Sequence, residues 1–264
     1  MEKLGIPHTA AFHCQPENIT FTLHLGNSRR VNDFVYNRFR DTFFNRFTHI
    51  HCPSNMIADQ LRSHGYTAQL HVISNGISPE YTYGKLPKEP WMQGFFNVLM
   101  VGRYAGEKRQ DELIEACAKS RHAQEIQVIL AGKGPLEKKY RRLAEKLPNP
   151  IVMSFYEPSR LLEILHMADL YVHTSDAEIE AMSCMEAFAC GLVPVIADSP
   201  RSATPQFALD GRSLFPAGDT DALAERIDWW IEHPAERQEM ERRYAEHAKQ
   251  YSLAESIRRT EEKF

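Results

Sequence analysis

No C-x-x-C pair occurs among the five cysteines, Cys14, Cys52, Cys117, Cys184 and Cys190. Their scatter suits reduced thiols better than a disulfide framework or a zinc site. No apolar run approaches the ~20 residues that a membrane helix needs, and Met1-Glu2-Lys3-Leu4-Gly5 lacks the apolar segment of a signal peptide. Charge of one sign is scarce as well: a net −4 over 264 residues gives no reason to expect nucleic acid as a partner. Internal repeats, low-complexity tracts and long charge runs are missing. What is present is ordinary globular material, 43% hydrophobic and 25% charged, enough for one large domain or two of usual size. The expected location is the cytoplasm.

Short apolar runs alternate with amphipathic stretches, the pattern of an α/β architecture with parallel sheets. Strands are expected at 8–13, 49–52, 70–73, 97–101, 127–131, 151–154, 170–173 and 193–197. Helices are expected at 30–47, 54–63, 107–120, 136–147, 159–167 and 183–190, then at 222–232, 235–250 and 253–263. The first of these places Val35, Phe39, Phe43 and Phe47 on one face, and the second opens on a capping serine, Ser54. A boundary falls near Ser74-Asn75-Gly76. The stretch 79–94, with three prolines and two glycines and little periodicity, reads as a connector. The organisation expected is 1–75 as a partial lobe, 76–249 as a Rossmann-like domain, and 250–264 as a C-terminal helix returning toward the first lobe. Only about three strands precede the connector, against about six in a complete lobe of this type.

Three segments can carry chemistry. In Ser175 to Ile196, Glu178 and Glu186 have seven residues between them, one on a loop and the other on the helix that begins near Ser183. The free N–H groups of that helix start make an anion site suited to a diphosphate. Two carboxylates beside it make sense with separate tasks, one accepting hydrogen bonds from ribose hydroxyls and the other attending a sugar ring or positive charge at an anomeric carbon. On spacing alone, though, both are ordinary solvated glutamates. In Val98–Lys108 an apolar strand ends in Gly102-Arg103 and Lys108 opens the next helix, so both cations stand at the carboxyl end of a strand, where open α/β sheets bind ligands. Val128–Pro135 is a strand followed by two glycines, where the backbone must turn sharply or approach a ligand. It is neither a Walker loop nor a dinucleotide fingerprint.

Taken in order, V-I-S-N-G-I-S-P-E-Y at 72–81, G-R-Y-A-G-E-K at 102–108, V-I-L-A-G-K-G-P at 128–135, A-D-L-Y-V-H-T-S at 168–175 and the two-glutamate block running into A-F-A-C-G-L-V-P-V-I resemble the retaining GT-B glycosyltransferases of family four. Each motif is weak singly; their order and spacing make the resemblance specific. It implies two Rossmann-like lobes, the C-terminal one complete and the N-terminal one incomplete, with a nucleotide sugar, by family habit a UDP-sugar, as donor and a hydroxyl as acceptor. It also implies a diphosphate held by Arg103 and Lys108 with Gly102 and Ser183, ribose hydroxyls on Glu186, and the donor sugar on Glu178. His13, at the end of an N-lobe strand, matches a histidine facing the donor sugar; an ordinary half-buried histidine is the competing reading. No cofactor and no metal are implied. Asp219-Thr220-Asp221 reads as a helix cap, and His71, His122, His166 and His173 are too dispersed for a metal cluster.

Two departures stand out. Where the family often has an aromatic and a glycine, this chain has Glu180-Ala181, and a further carboxylate beside a diphosphate is unfavourable unless it points away. This variant, with 199–209, resembles a subgroup transferring glucose to diacylglycerol or related lipids, which implies a glycerolipid or cell-envelope glycan as acceptor. The chain also starts in what the resemblance makes mid-lobe. The expectation is therefore a fragment or a nucleotide-sugar-binding subunit completed by another polypeptide, with weak binding and little turnover alone. Membrane contact is a further expectation. Arg29, Arg30, Arg38, Arg40 and Arg46 accompany Phe34, Phe39, Phe43, Phe44 and Phe47, and such a helix would dock on anionic lipid at the inner face of a membrane. The core-like spacing of 35, 39, 43 and 47 favours instead a helix packed into its lobe.

Overall fold

The computed structural model describes residues 8–23 and 25–263; the N-terminal residues 1–5 discussed above lie outside the described residues. Two all-parallel sheets form, each with its own apolar core. The first holds three strands in the order β1 (Ala10–Ala11), β2 (His49–Cys52), β3 (Gln69–Val72). Between β1 and β2 come α1 (Pro16–Thr22) and α2 (Arg29–Thr42), and between β2 and β3 comes α3 (Asn55–Ser63). Ser54 caps α3 as expected, its Oγ accepting from the Ile57 N–H at 3.3 Å.

The chain then crosses without regular structure to β4 (Phe96–Val101). It continues through α4 (Gln110–Lys119), β5 (Ile126–Ala131), α5 (Glu137–Leu143), β6 (Val152–Ser154), α6 (Pro158–Met167), β7 (Leu170–His173), α7 (Met182–Ala189), β8 (Pro194–Asp198) and β9 (Leu214–Pro216). Three helices close the chain: α8 (Thr220–Glu232), α9 (Pro234–Ala248) and α10 (Leu253–Glu261). The second sheet has the order β6-β5-β4-β7-β8-β9. Its central strands are buried along their length because helices cover both faces, which is why β5 and β7 are mostly apolar, with Gln127 and His173 as their polar residues. Asp219 caps α8, its Oδ1 accepting from the Ala222 N–H at 2.9 Å. The Leu253 N–H, at the start of α10, donates to Ile77 O at 2.9 Å, so the last helix returns to the start of the connector.

Several local expectations are corrected. The stretch 30–47 is not one helix: α2 stops at Thr42, Phe43 leaves helical geometry at φ −133°, and a 3₁₀ turn follows. The buried line is consequently Asn32, Tyr36 and Phe44, while Phe43 is 51% and Phe34 68% exposed. Asn32 is tolerated inside because Thr20 Oγ1 donates to its Oδ1 at 2.6 Å and its Nδ2 donates to Gly26 O at 2.9 Å. The expected helix at 107–120 also breaks. Lys108 ends a 3₁₀ turn and Arg109 sits in the left-handed region at φ 52°, so Lys108 does not open α4 but precedes it. The strand expected at 8–13 shrinks to two residues, and α1 and β9 are additions.

Candidate active site

β4 and β7 are neighbours in the second sheet although β5 and β6 lie between them in sequence. Here the strand order reverses, and loops leaving such a pair diverge to opposite faces and open a crevice at the carboxyl ends. The loop after β4 carries Gly102, Arg103 and Lys108; the loop after β7 carries Glu178 and leads into α7 with Ser183 and Glu186. The two loops are stitched together. Thr174 Oγ1 donates to Lys108 O at 2.8 Å, and the Asp176 N–H donates to Glu107 O at 2.8 Å.

Across that seam Lys108 Nζ donates a hydrogen bond to Glu178 Oε1, and His173 Nε2 stands 3.2 Å from the same oxygen. Burial by itself pushes the Glu178 carboxyl up. The Lys108 ammonium and the His173 ring outweigh it and hold the group well below the usual carboxylate range. Glu178 is therefore an anion in a nearly closed environment, with a cation one bond away. Ser183 is tied into the same site: Tyr171 Oη donates to Ser183 Oγ at 3.1 Å, and Ser183 Oγ donates to Val101 O at 3.3 Å. This brings the start of α7 against the end of β4, with the helix's free N–H groups at the crevice.

Arg103 donates to Glu107 Oε1 at 2.8 Å, an arrangement in which a buried carboxylate aims an exposed guanidinium. Arg103 also stands on the rim of two cavities. One, of about 360 Å³, lies at the ends of β4, β5 and β6 with Gly102, Gly132, Tyr156 and Leu161 in its walls. The other, of about 630 Å³, opens toward Phe21 of the first lobe. The glycines after β5 are explained by packing between loops rather than by a turn. A Cβ on Gly132 would lie 2.0 Å from Gly102 O, and one on Gly134 2.6 Å from Tyr104 O.

Glu186 lies one turn beyond Ser183, and it is set apart from the Lys108–Glu178 pair. Burial, and then the charge of Glu80 on the connector, push its carboxyl up to about 7. His13 is exposed just beyond β1, its ring 5.4 Å from that of His51. The structure thus joins Lys108, Glu178 and Ser183 in one seam, places Arg103 and Gly102 on the adjoining cavity, and leaves Glu186 facing the connector and His13 beside His51 in the first lobe. Glu180, the unexpected carboxylate, does point away: Asn75 Nδ2 donates to its Oε2 at 2.6 Å. No group of three or more His, Cys, Asp or Glu among the described residues is arranged to hold a metal ion.

Several site residues lie within the quoted segments without being singled out there. His173 is the last residue of β7, a position that the strand-end rule marks but that reads in sequence as one scattered histidine. Asp176 pairs with Arg201 and accepts from Ser199 Oγ at 2.8 Å, which fixes the loop after β8 beside the one after β7. Arg201 O in turn accepts from the Glu178 N–H at 3.3 Å and from Gln15 Nε2 of the first lobe at 2.9 Å. Only the folded chain brings these segments together.

Known proteins share this fold. The catalytic domain of cholesterol-alpha-glucosyltransferase from Helicobacter pylori is 49% identical, with a TM-score of 0.58, over 60% of this chain and 99% of that domain. HepE from Anabaena, solved with UDP and glucose, shares the fold at a TM-score of 0.77 and 20% identity, over 97% of this chain and 71% of its own. The putative glycosyltransferase EpsD of Bacillus subtilis (strain 168) is 33% identical over 131 residues, or 48% of this chain. The chain spans about a third, 34%, of that curated relative's length. The profile of Glycosyltransferase Family 4 matches residues 1–81, and that of Glycosyl transferases group 1 matches residues 86–251. By this second match, over more than half of its length, the chain belongs to the group 1 glycosyl transferases, built on the GT-B fold.

Proposed function

We propose that this chain is a retaining hexosyltransferase that takes a hexose from a UDP-sugar and passes it to a hydroxyl acceptor without a metal. The observation that carries the reading is the Lys108–Glu178 pair at the strand-order reversal, with Arg103 on one side and the start of α7 on the other. HepE, of the same fold, was solved with UDP and glucose, which supports the donor class. In this reading Arg103 grips the diphosphate with a two-pronged contact and Lys108 with a point charge, and the α7 N–H groups near Ser183 complete the cradle. Negative charge growing on the departing diphosphate meets preorganised donors, which lowers the barrier without covalent chemistry on the protein. The acceptor hydroxyl attacks from the face that the diphosphate leaves, through an oxocarbenium-like transition state, and anomeric configuration is kept. Glu178 holds the donor sugar near that centre, Glu186 takes the ribose hydroxyls, and His13 faces the sugar from the first lobe when the lobes close.

For the acceptor we favour a lipid hydroxyl, with a glycerolipid or cell-envelope glycan as its class. The Helicobacter pylori relative is named for glucosyl transfer to cholesterol. Phe34 and Phe43 are exposed on α2 and just after it, among Arg29, Arg30, Arg38 and Arg46, a surface suited to peripheral contact with the inner face of an anionic membrane. Among the described residues no helix is long and apolar enough to cross a membrane.

The test is calorimetric titration with UDP, followed by incubation with UDP-[13C]glucose and vesicles containing diacylglycerol or cholesterol. Saturable UDP binding and an α-linked glucolipid are expected. A β-linked product would sink the retaining mechanism, and glucose release without an acceptor product would point to hydrolysis. A second reading is a nucleotide-sugar-binding subunit that needs a complementing polypeptide for turnover. UDP binding with no transfer until a partner chain is added would select it.

A further inference from the structure

Glu180 lies two residues after Glu178, and its carboxylate is turned toward the point where the chain leaves the first sheet. Asn75 donates to Oε2 twice, from its backbone N–H at 2.9 Å and from Nδ2 at 2.6 Å. Glu180 is only 1% exposed. A buried carboxylate is costly to hold unless its oxygens are satisfied, so packing alone gives no reason for an acid here.

The crossover at Asn75 is held on its other side by the end of the chain. Gly76 has φ +84°, and a Cβ there would lie 2.7 Å from Leu253 Cα. The Ile77 N–H donates to Tyr251 O at 2.7 Å. With Gly76 and Ile77 fixed against the C-terminal segment, Asn75, beside the Ser74 hydroxyl, links the crossover to the donor loop through Glu180. On that loop Ala181 follows Glu180 at φ 63° and α7 begins at the next residue, so a displacement of Glu180 is transmitted directly to Ser183 and back to Glu178.

We propose that Glu180 is a positioning residue: through Asn75 it locks the crossover between the lobes to the loop carrying Glu178 and Ser183, so that lobe setting and donor-site shape change together. This rests on the donor-site reading given above. Coupling of this kind is an interaction free energy between two segments, and it is reciprocal: if an ordered crossover favours ligand binding on the donor loop, the bound ligand favours the ordered crossover by the same free energy.

The experiment is amide hydrogen exchange on the whole chain, with and without UDP, together with UDP calorimetry, for wild type, Glu180→Ala, Glu180→Gln and Asn75→Ala. In the UDP-free protein, Glu180→Ala should speed exchange in both 73–77 and 176–184, whereas Glu180→Gln, whose amide oxygen still accepts from Asn75, should match wild type. UDP should slow exchange at 73–77 in wild type but not in Glu180→Ala, and its Kd should rise about five- to tenfold in the alanine variant and less than about twofold in the glutamine variant. Asn75→Ala keeps the backbone donor and should shift both segments in the same direction by less, which retains the test if Glu180→Ala does not fold. Faster exchange confined to 73–77, with the UDP Kd unchanged, would overturn the proposal and leave Glu180 as a local tether. If wild type takes up no UDP, the donor reading fails, while the paired UDP-free exchange still decides the coupling.

Discussion

The Lys108 ammonium and the Glu178 carboxylate meet across the one place in the second sheet where the strand order reverses, each contributed by the loop leaving one of the two adjacent strands. Neither charge has much access to water: the side chains are 20% and 11% exposed. Removing one partner from such a pair leaves the other uncompensated, which costs more than the intact pair contributes. Lys108→Met is therefore expected to lower unfolding stability by about 3 kcal/mol, and adding Glu178→Gln should recover most of it. If Lys108 supplies the point charge for the diphosphate, as proposed, UDP affinity should stay lost in both variants. Urea unfolding of the two single variants and the double variant checks the first claim, and calorimetry the second. The pH dependence has a definite sign. The folded Glu178 carboxyl titrates below its ordinary 4.5, so its stabilisation is present above that value and disappears as pH falls through the folded one. The Lys108→Met variant should lose much of this acid-induced destabilisation.

Glu186 behaves in the opposite way. Burial first, and Glu80 next, push its carboxyl from an ordinary 4.5 up to about 7. Between those values the folded chain keeps a proton that the unfolded chain has released, so this group makes stability decline as pH rises across that window. If Glu186 receives ribose hydroxyls as a carboxylate, UDP affinity should climb over the same window. Glu186→Gln is expected to flatten both slopes and to weaken UDP binding at pH 8 by about tenfold, the scale of one hydrogen bond to a charged acceptor. Melting curves and UDP titrations from pH 5 to about pH 8 check this. An affinity that ignores pH while the melting slope remains would remove Glu186 from the ribose.

What the sequence reveals and conceals follows from how local each signal is. Strands β5 and β7 are legible because burial on both faces demands mostly apolar residues, and α3 and α8 because Ser54 and Asp219 cap them locally. β9 has three residues and ends in Pro216, too short for any period to show. α1 opens on Pro16 and leaves Ile19 exposed, so it lacks the apolar stripe that marks a packed helix. The break at Phe43 is invisible because the residues on both sides keep an acceptable helical pattern. In the site, Arg103, Lys108, Glu178 and Glu186 are marked by motif order. The contacts of Asn75 with Glu180, and of Gln15 with Arg201, join segments more than a hundred residues apart and depend on how the lobes meet. Glu180 appears in sequence as a misplaced charge, and its partner explains it.

Gly132 offers a test of the loop packing under the cavity beside Arg103. Its absent Cβ would lie 2.0 Å from Gly102 O, a backbone atom that cannot swing aside as a side chain would. Gly132→Ala must therefore push the loop after β5 away from the loop after β4, at a cost of about 2 kcal/mol or more. The displacement should enlarge the cavity beside Arg103 and weaken UDP binding at least as much as it lowers stability. Calorimetry and urea unfolding of this variant, with Gly106→Ala as a control whose Cβ would meet nothing within 4 Å, separate a specific clash from a general loss of glycine freedom.

Ala181 gives the last prediction. It sits at φ 63°, ψ 63° immediately before α7, a left-handed conformation that costs a residue with a Cβ about 1–2 kcal/mol and costs glycine almost nothing. Ala181 takes up little room, so the burden lies in its backbone angle. Glycine also widens the unfolded ensemble, which offsets part of the relief, so Ala181→Gly is expected to raise stability by a net of about 0.5–1 kcal/mol. Ala181→Val adds a β-branched side chain at the same angle, where only 6% of the residue's surface is exposed, and should lower stability by at least about 2 kcal/mol. If the strain helps hold Glu178 and Ser183 in place, the glycine variant will be more stable and yet bind UDP less tightly, because a loop that reaches this conformation without strain also leaves it easily. Urea unfolding and UDP titration of the two variants decide the point. A glycine variant that gains stability and keeps full affinity would show that the strained angle only connects the loop to α7 and takes no part in shaping the site.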